Sequence, residues 1–81
     1  MKFEIMHPVA TIISEDGRLV TLNVFSNDET GLFDVIGTVP DEDPEEPDEW
    51  EIIAERFDSS WEAEDAIKKM YDNGNWQINY L

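Results

Sequence analysis

In 81 residues the chain carries twenty Asp and Glu against five Lys and Arg, a formal net charge of −15, and it has no cysteine. Small domains ordinarily stay dissolved with a net charge of roughly 2–8 in magnitude, so this excess works against compaction by self-repulsion. It argues against direct contact with nucleic acid or anionic membrane and for a basic partner; the missing cysteine excludes disulfides and thiolate metal sites.

The length leaves room for one acidic domain, residues 1–81. Three Trp, four Phe and eight Ile separate it from disordered acidic chains, which lack the apolar content to form a core. The first eight residues hold no long apolar run, and nowhere does the chain approach the ~18 apolar residues of a membrane span. The expectation is a soluble, cytoplasmic protein. A salt-adapted proteome would also be acidic, but its carboxylates would be spread out. Here eight of the eleven residues from Asp41 to Glu51 are acidic.

Residues 2–13 read as a strand, with Phe3, Ile5, Val9, Thr11 and Ile13 on one parity and Met6, Ala10 and Ile12 on the other. Pro8 lacks a ladder donor and predicts an edge position or a bend there. The pair Asp16-Gly17 predicts a tight turn, followed by a second strand over Leu19–Phe25. Leu32–Val39 reads as a third strand, with Phe33, Val35 and Val39 on one face and Asp34 and Thr38 on the other. Trp50–Phe57 reads as a fourth.

Ser59 and Glu62 have the spacing of a capping box and open a predicted helix over Ser60–Asp72. Its apolar stripe is Ala63, Ala66, Ile67 and Met70, with Glu64–Lys68 and Asp65–Lys69 as i,i+4 pairs outside. Asn73-Gly74 stops it, and Trp76, Ile78 and Tyr80 alternate as a short last strand. The order ββββαβ predicts a two-layer α+β domain: an antiparallel sheet of four to five strands with one helix packed on one face.

The candidate partner-binding residues are Asp41, Glu42, Asp43, Glu45, Glu46, Asp48, Glu49, Trp50 and Glu51. Pro44 and Pro47 stiffen this segment toward an extended form that holds its charges apart before binding. Trp50, flanked by Glu49 and Glu51, is either an aromatic anchor for a partner or a strand residue packed under the helix. Glu15, Asp16, Asp28, Glu29 and Asp34 near the turns form a second possible acidic surface.

Other chemistry is poorly served. Counted from Asp41, the sixth position is Glu46 where a calcium loop of the EF-hand type requires Gly, and prolines interrupt the turn. His7 is the only histidine and there is no thiol, so nucleophile–base pairs are hard to assemble. No catalytic residue, metal site or cofactor is expected.

Small size, absent cysteine, excess carboxylate and the block at Asp41–Glu51 resemble the small acidic phage-encoded inhibitors that mimic DNA. Uracil-DNA glycosylase inhibitor, anti-restriction proteins and several anti-CRISPR proteins belong to that class. The resemblance spans the whole chain in composition and rests on no shared motif. It implies a non-enzymatic inhibitor that blocks a basic DNA-binding protein or nuclease by presenting carboxylates where phosphates would lie, in a host cytoplasm. Two other readings share the composition: an immunity protein or antitoxin neutralising a basic nuclease toxin, and an acidic accessory module without inhibitory action.

Overall fold

Two hairpins set the architecture, and local chemistry sets both hairpins. The computed structural model describes residues 5–40, 42–43, 45–46 and 48–81; residues 2–4 of the expected first strand, and Asp41, lie outside them. Strand β1 (Ile5–Ile13) turns into β2 (Leu19–Asn27) through Ser14–Arg18. In that turn Gly17, at φ +85°, donates its N–H to the Ser14 carbonyl at 2.9 Å, and the Ser14 N–H is bonded to the Arg18 carbonyl at 2.9 Å. Only glycine takes that φ without a steric cost. Strands β3 (Leu32–Val39) and β4 (Glu49–Phe57) form the second hairpin, and helix α1 (Ser60–Tyr71) and strand β5 (Ile78–Tyr80) follow.

The sheet has the order β4-β3-β2-β1-β5, antiparallel throughout. Four strands run as a meander, and α1 then carries the chain back across the sheet so that β5 pairs with β1 at Ala10–Ile12. This is the expected α+β domain with a single helix. The proline in β1 acts as a bend. Pro8 pairs with Asn23 but Ala10 pairs with Leu22, so Val9 is an extra residue. The bulge lets Val9 and Ala10, adjacent in sequence, both pack toward the core, which strict alternation forbids.

The helix starts as the capping box requires: the Glu62 N–H is bonded to Ser59 Oγ at 3.3 Å, and the Ser59 N–H to Glu62 Oε2 at 3.1 Å. Ala63 and Ile67 are fully buried against Ala10, Ile12, Leu22, Val24 and Val35. Ala66 and Met70 are only half-buried, and Tyr71 takes the third core position. Outside, Lys69 pairs with Asp65 at 3.0 Å, while Lys68 lies with its Nζ 6.0 Å from the centre of the Tyr80 ring. The helix ends one residue early, with Asp72 as its cap. Beyond it, Gly74 at φ +87° reverses the chain, and Trp76 meets Tyr71 edge-to-face at 5.2 Å. The Tyr80 hydroxyl donates to Asp72 at 2.8 Å and ties β5 to the helix end.

Two irregularities shape β4. Ile52 pairs with Ile36 but Ala54 pairs with Val35, so Ile53 is extra; Glu55 and Arg56 then both oppose Asp34. Ile53, Ala54 and Phe57 therefore all reach the core. Room for Ile53 comes from Gly37, where an added Cβ would stand 2.8 Å from Ile53 Cδ1 and 3.2 Å from Val20 Cγ1.

Candidate partner-docking site

In an antiparallel meander the first and third connections emerge at the same end of the sheet. The turn Ser14–Arg18 and the acidic segment after Val39 are therefore neighbours, and Arg18 links them. Its Nε lies 3.4 Å from Asp16 Oδ2 and its Nη1 lies 3.8 Å from Glu49 Oε2. Between them is a shallow groove of about 290 Å³, lined by Ser14, Asp16, Arg18, Gly37, Glu49 and Glu51 among others.

Glu15, Asp16, Glu42, Asp43, Glu45, Glu46, Asp48, Glu49 and Glu51 are all exposed and belong to this end. Of the eighteen carboxylates among the described residues, fifteen are exposed, Glu62 and Asp65 are half-buried, and Asp34 alone is buried. The acidic segment departs from the extended form in one stretch. The Glu46 N–H donates to the Asp43 carbonyl at 3.0 Å and the Glu45 N–H to Asp43 Oδ1 at 3.0 Å. Asp43 thus builds a turn around its own carboxylate, as Asp side chains commonly do. The charges project from a bend there instead of lining a rod.

Trp50 is not under the helix. It pairs with Thr38, whose hydroxyl accepts from Asn23 Nδ2 at 3.3 Å, and that row lies on the face α1 leaves uncovered. Trp50 is 62% exposed there. Ile52, Leu19, Ile13 and Met6 are exposed on the same face. Asp34, on the same face, is 4% exposed. Glu49 and Glu51 alternate to the other side of β4.

The acids near the turns separate. Glu15 and Asp16 join the described acidic residues from Glu42 to Glu51, whereas Asp28 and Glu29 sit in the β2–β3 turn at the far end. Asp34 is withdrawn from any surface: its Oδ1 accepts from the Arg56 N–H at 3.1 Å and its Oδ2 from Asn27 Nδ2 at 3.2 Å. Arg18 as the joint between turn and segment is not legible in the sequence, because a pair 31 positions apart needs the topology first.

Two groups of this region carry shifted acidity. The Ser14 hydroxyl, hydrogen-bonded to Asp16, and then the Arg18 guanidinium hold the Asp16 carboxyl below the usual carboxylate range. Burial, followed by the negative charge of Glu51, pushes the Tyr71 phenol up. His7 is exposed and remote, beside Ser60 and Glu64 at the start of the helix. Trp61 is exposed in the first helical turn, also at the far end. Among the described residues no helix is long and apolar enough to cross a membrane, and no three His, Asp or Glu converge as metal ligands. No family model, curated protein or solved structure matches this chain.

Proposed function

We propose that this protein is an inhibitor that binds a basic DNA-binding protein or nuclease and occupies its DNA site through the acidic end of the sheet. The observation that carries the reading is the set of exposed carboxylates around residues 42–51 and 15–16, carried by the β1–β2 turn, the connection after β3 and the start of β4, with Arg18 beside Asp16 and Glu49. Duplex DNA presents one charge per roughly 1.7 Å of axis, and its binding proteins carry a basic groove to match. Closely spaced carboxylates on a rigid support satisfy such a groove without supplying a phosphodiester to cut. Electrostatic steering makes association of this kind fast and strongly salt-dependent.

The experiment is affinity capture from lysate of the native host, followed by a DNA-displacement assay on each captured protein. Recovery of a basic nucleic-acid enzyme from which the protein displaces duplex DNA supports the reading. A captured nuclease encoded beside this protein's own gene would make the inhibition that of an immunity protein. Capture of partners that keep their DNA would reject the reading.

A further inference from the structure

Strand β4 is the long outer strand of the sheet, and its two halves are built differently. From Ile53 onward the bulges at Ile53 and at Glu55–Arg56 break the regular ladder, and Arg56 sits at φ +67°. Such bulges are a standard protection against pairing with another strand. Glu49, Trp50, Glu51 and Ile52 have no such protection: their register with Val39, Thr38, Gly37 and Ile36, in that order, is regular, and all four residues are exposed. Among the described residues, no other segment makes a backbone hydrogen bond to this stretch on its outer side.

The side chains decide what fits. Along this edge Glu49 and Glu51 point to the helix side, and Trp50 and Ile52 to the uncovered face. An antiparallel pairing with a second copy sets Glu49 against Glu51, or Glu51 against itself, and like charges directly opposed are destabilising. The edge thus rejects its own kind. A strand with basic residues opposite Glu49 and Glu51 and apolar residues opposite Trp50 and Ile52 meets complementary charge on one side and apolar surface on the other.

We infer that the basic partner adds an extended segment of alternating basic and apolar residues to the Glu49–Ile52 edge as a sixth strand. Main-chain bonds hold such a segment and the alternate side chains select it. This rests on the reading of the acidic end as the dock for a basic protein, and it names the element of that protein that docks.

The test uses the full chain, ¹⁵N-labelled, and synthetic capped octapeptides. One alternates Lys and Val; a second has the same composition as a Lys block followed by a Val block. Two more are the alternating peptide N-methylated on every Lys or on every Val, which removes donors from one edge of the strand at a time. The expected result is that the alternating peptide shifts and protects the amides of 49–52 and moves the Trp50 indole signal. One methylated form should then bind about tenfold or more weakly, as the loss of two ladder bonds implies, and the other should bind like the parent peptide. Glu49→Gln with Glu51→Gln should weaken the alternating peptide and flatten its salt dependence.

Equal binding of the alternating and block peptides, or equal effects of the two methylations, overturns the sixth strand while leaving the acidic dock standing. Binding by none of the peptides at low salt overturns both. Shifts confined to Trp61 or the helix likewise overturn the inference.

Discussion

Asp34→Ala tests how the sheet holds its irregular edge. The carboxylate is 4% exposed and accepts two hydrogen bonds, from the Arg56 N–H at 3.1 Å and from Asn27 Nδ2 at 3.2 Å. Bonds to a charged acceptor contribute about 1.5–3 kcal/mol each. Part of that is returned, because the variant no longer buries a charge and loses one negative unit from a chain at −15. A net loss of about 2 kcal/mol follows. With a urea m-value of about 1 kcal/mol/M for a domain this small, the unfolding midpoint should fall by about 2 M.

Asp34→Asn keeps the shape and one acceptor oxygen. Its new amide faces Asn27 Nδ2, and Asn27 cannot turn over freely because its Oδ1 already accepts the Glu29 N–H at 3.0 Å. That variant should lose about half as much. Asp28→Ala, at an exposed turn, is the control and should move the midpoint by no more than about 0.5 M. The measurement is urea denaturation followed by tryptophan fluorescence. If Asp34→Ala and Asp28→Ala unfold at the same urea concentration, the carboxylate does not anchor the bulge and the account of β4 fails.

Gly37→Ala should cost about 1–3 kcal/mol by forcing a Cβ to within 2.8 Å of Ile53 Cδ1, and adding Ile53→Val should recover part of it; chemical denaturation of the three proteins checks both. Tyr71 and Tyr80 are the two tyrosines, and both are pushed above the usual phenol range, Tyr71 by burial and then Glu51, Tyr80 by burial and then its bond to Asp72. The folded chain therefore holds these protons longer than the unfolded one, so stability present below about pH 10 is lost as pH rises through the raised values. Absorbance at 295 nm should give a midpoint above that of the urea-unfolded chain, and coincident midpoints would contradict it. Raising salt from about 0.05 to 0.5 M should raise the melting temperature by screening carboxylate repulsion, since the Debye length falls well below the ~10 Å of 0.1 M salt; a melting temperature that falls would mean that the ion pairs of Arg18 and Lys69 outweigh the repulsion.

The elements that were readable in the sequence are those whose determinants are local. Ser59 and Glu62 are three residues apart and specify the helix start wherever the chain places them. Asp16-Gly17 specifies its turn in the same way, and Val20, Leu22 and Val24 alternate with Thr21 and Asn23 along the second strand. Bulges escape such reading because an extra residue leaves no mark in the composition of a strand: Val9 and Ile53 look like ordinary strand residues, and their positions follow from pairing with β2 and β3. Alternation assigned Asp34 and Thr38 to the face away from Val35, and they are there. It did not reveal that Asp34 is buried, because that depends on Arg56 and Asn27 arriving from other strands.

The acidic segment shows the same division. Its charge and exposure were legible, its turn at Asp43 was not, since the prolines favoured an extended chain and the Asp43 carboxylate and carbonyl bonds outweighed that preference locally. Trp50 had two readings, and the choice between them waited on which face α1 covers.

Removal of charge from the acidic end in one block is the most direct test of what that end does. Glu42, Asp43, Glu45, Glu46, Asp48, Glu49 and Glu51 are exposed and lie outside the core, so their replacement by Asn or Gln should leave the fold, read by circular dichroism and melting, intact. The measurement is the concentration of protein that displaces duplex DNA from the captured basic partner, for the parent and for the block variant at the same salt concentration. Close interfacial charge pairs couple by about 1.5–7 kcal/mol, so the account predicts that the variant requires at least about tenfold more protein. A folded variant that displaces DNA as well as the parent does would contradict it.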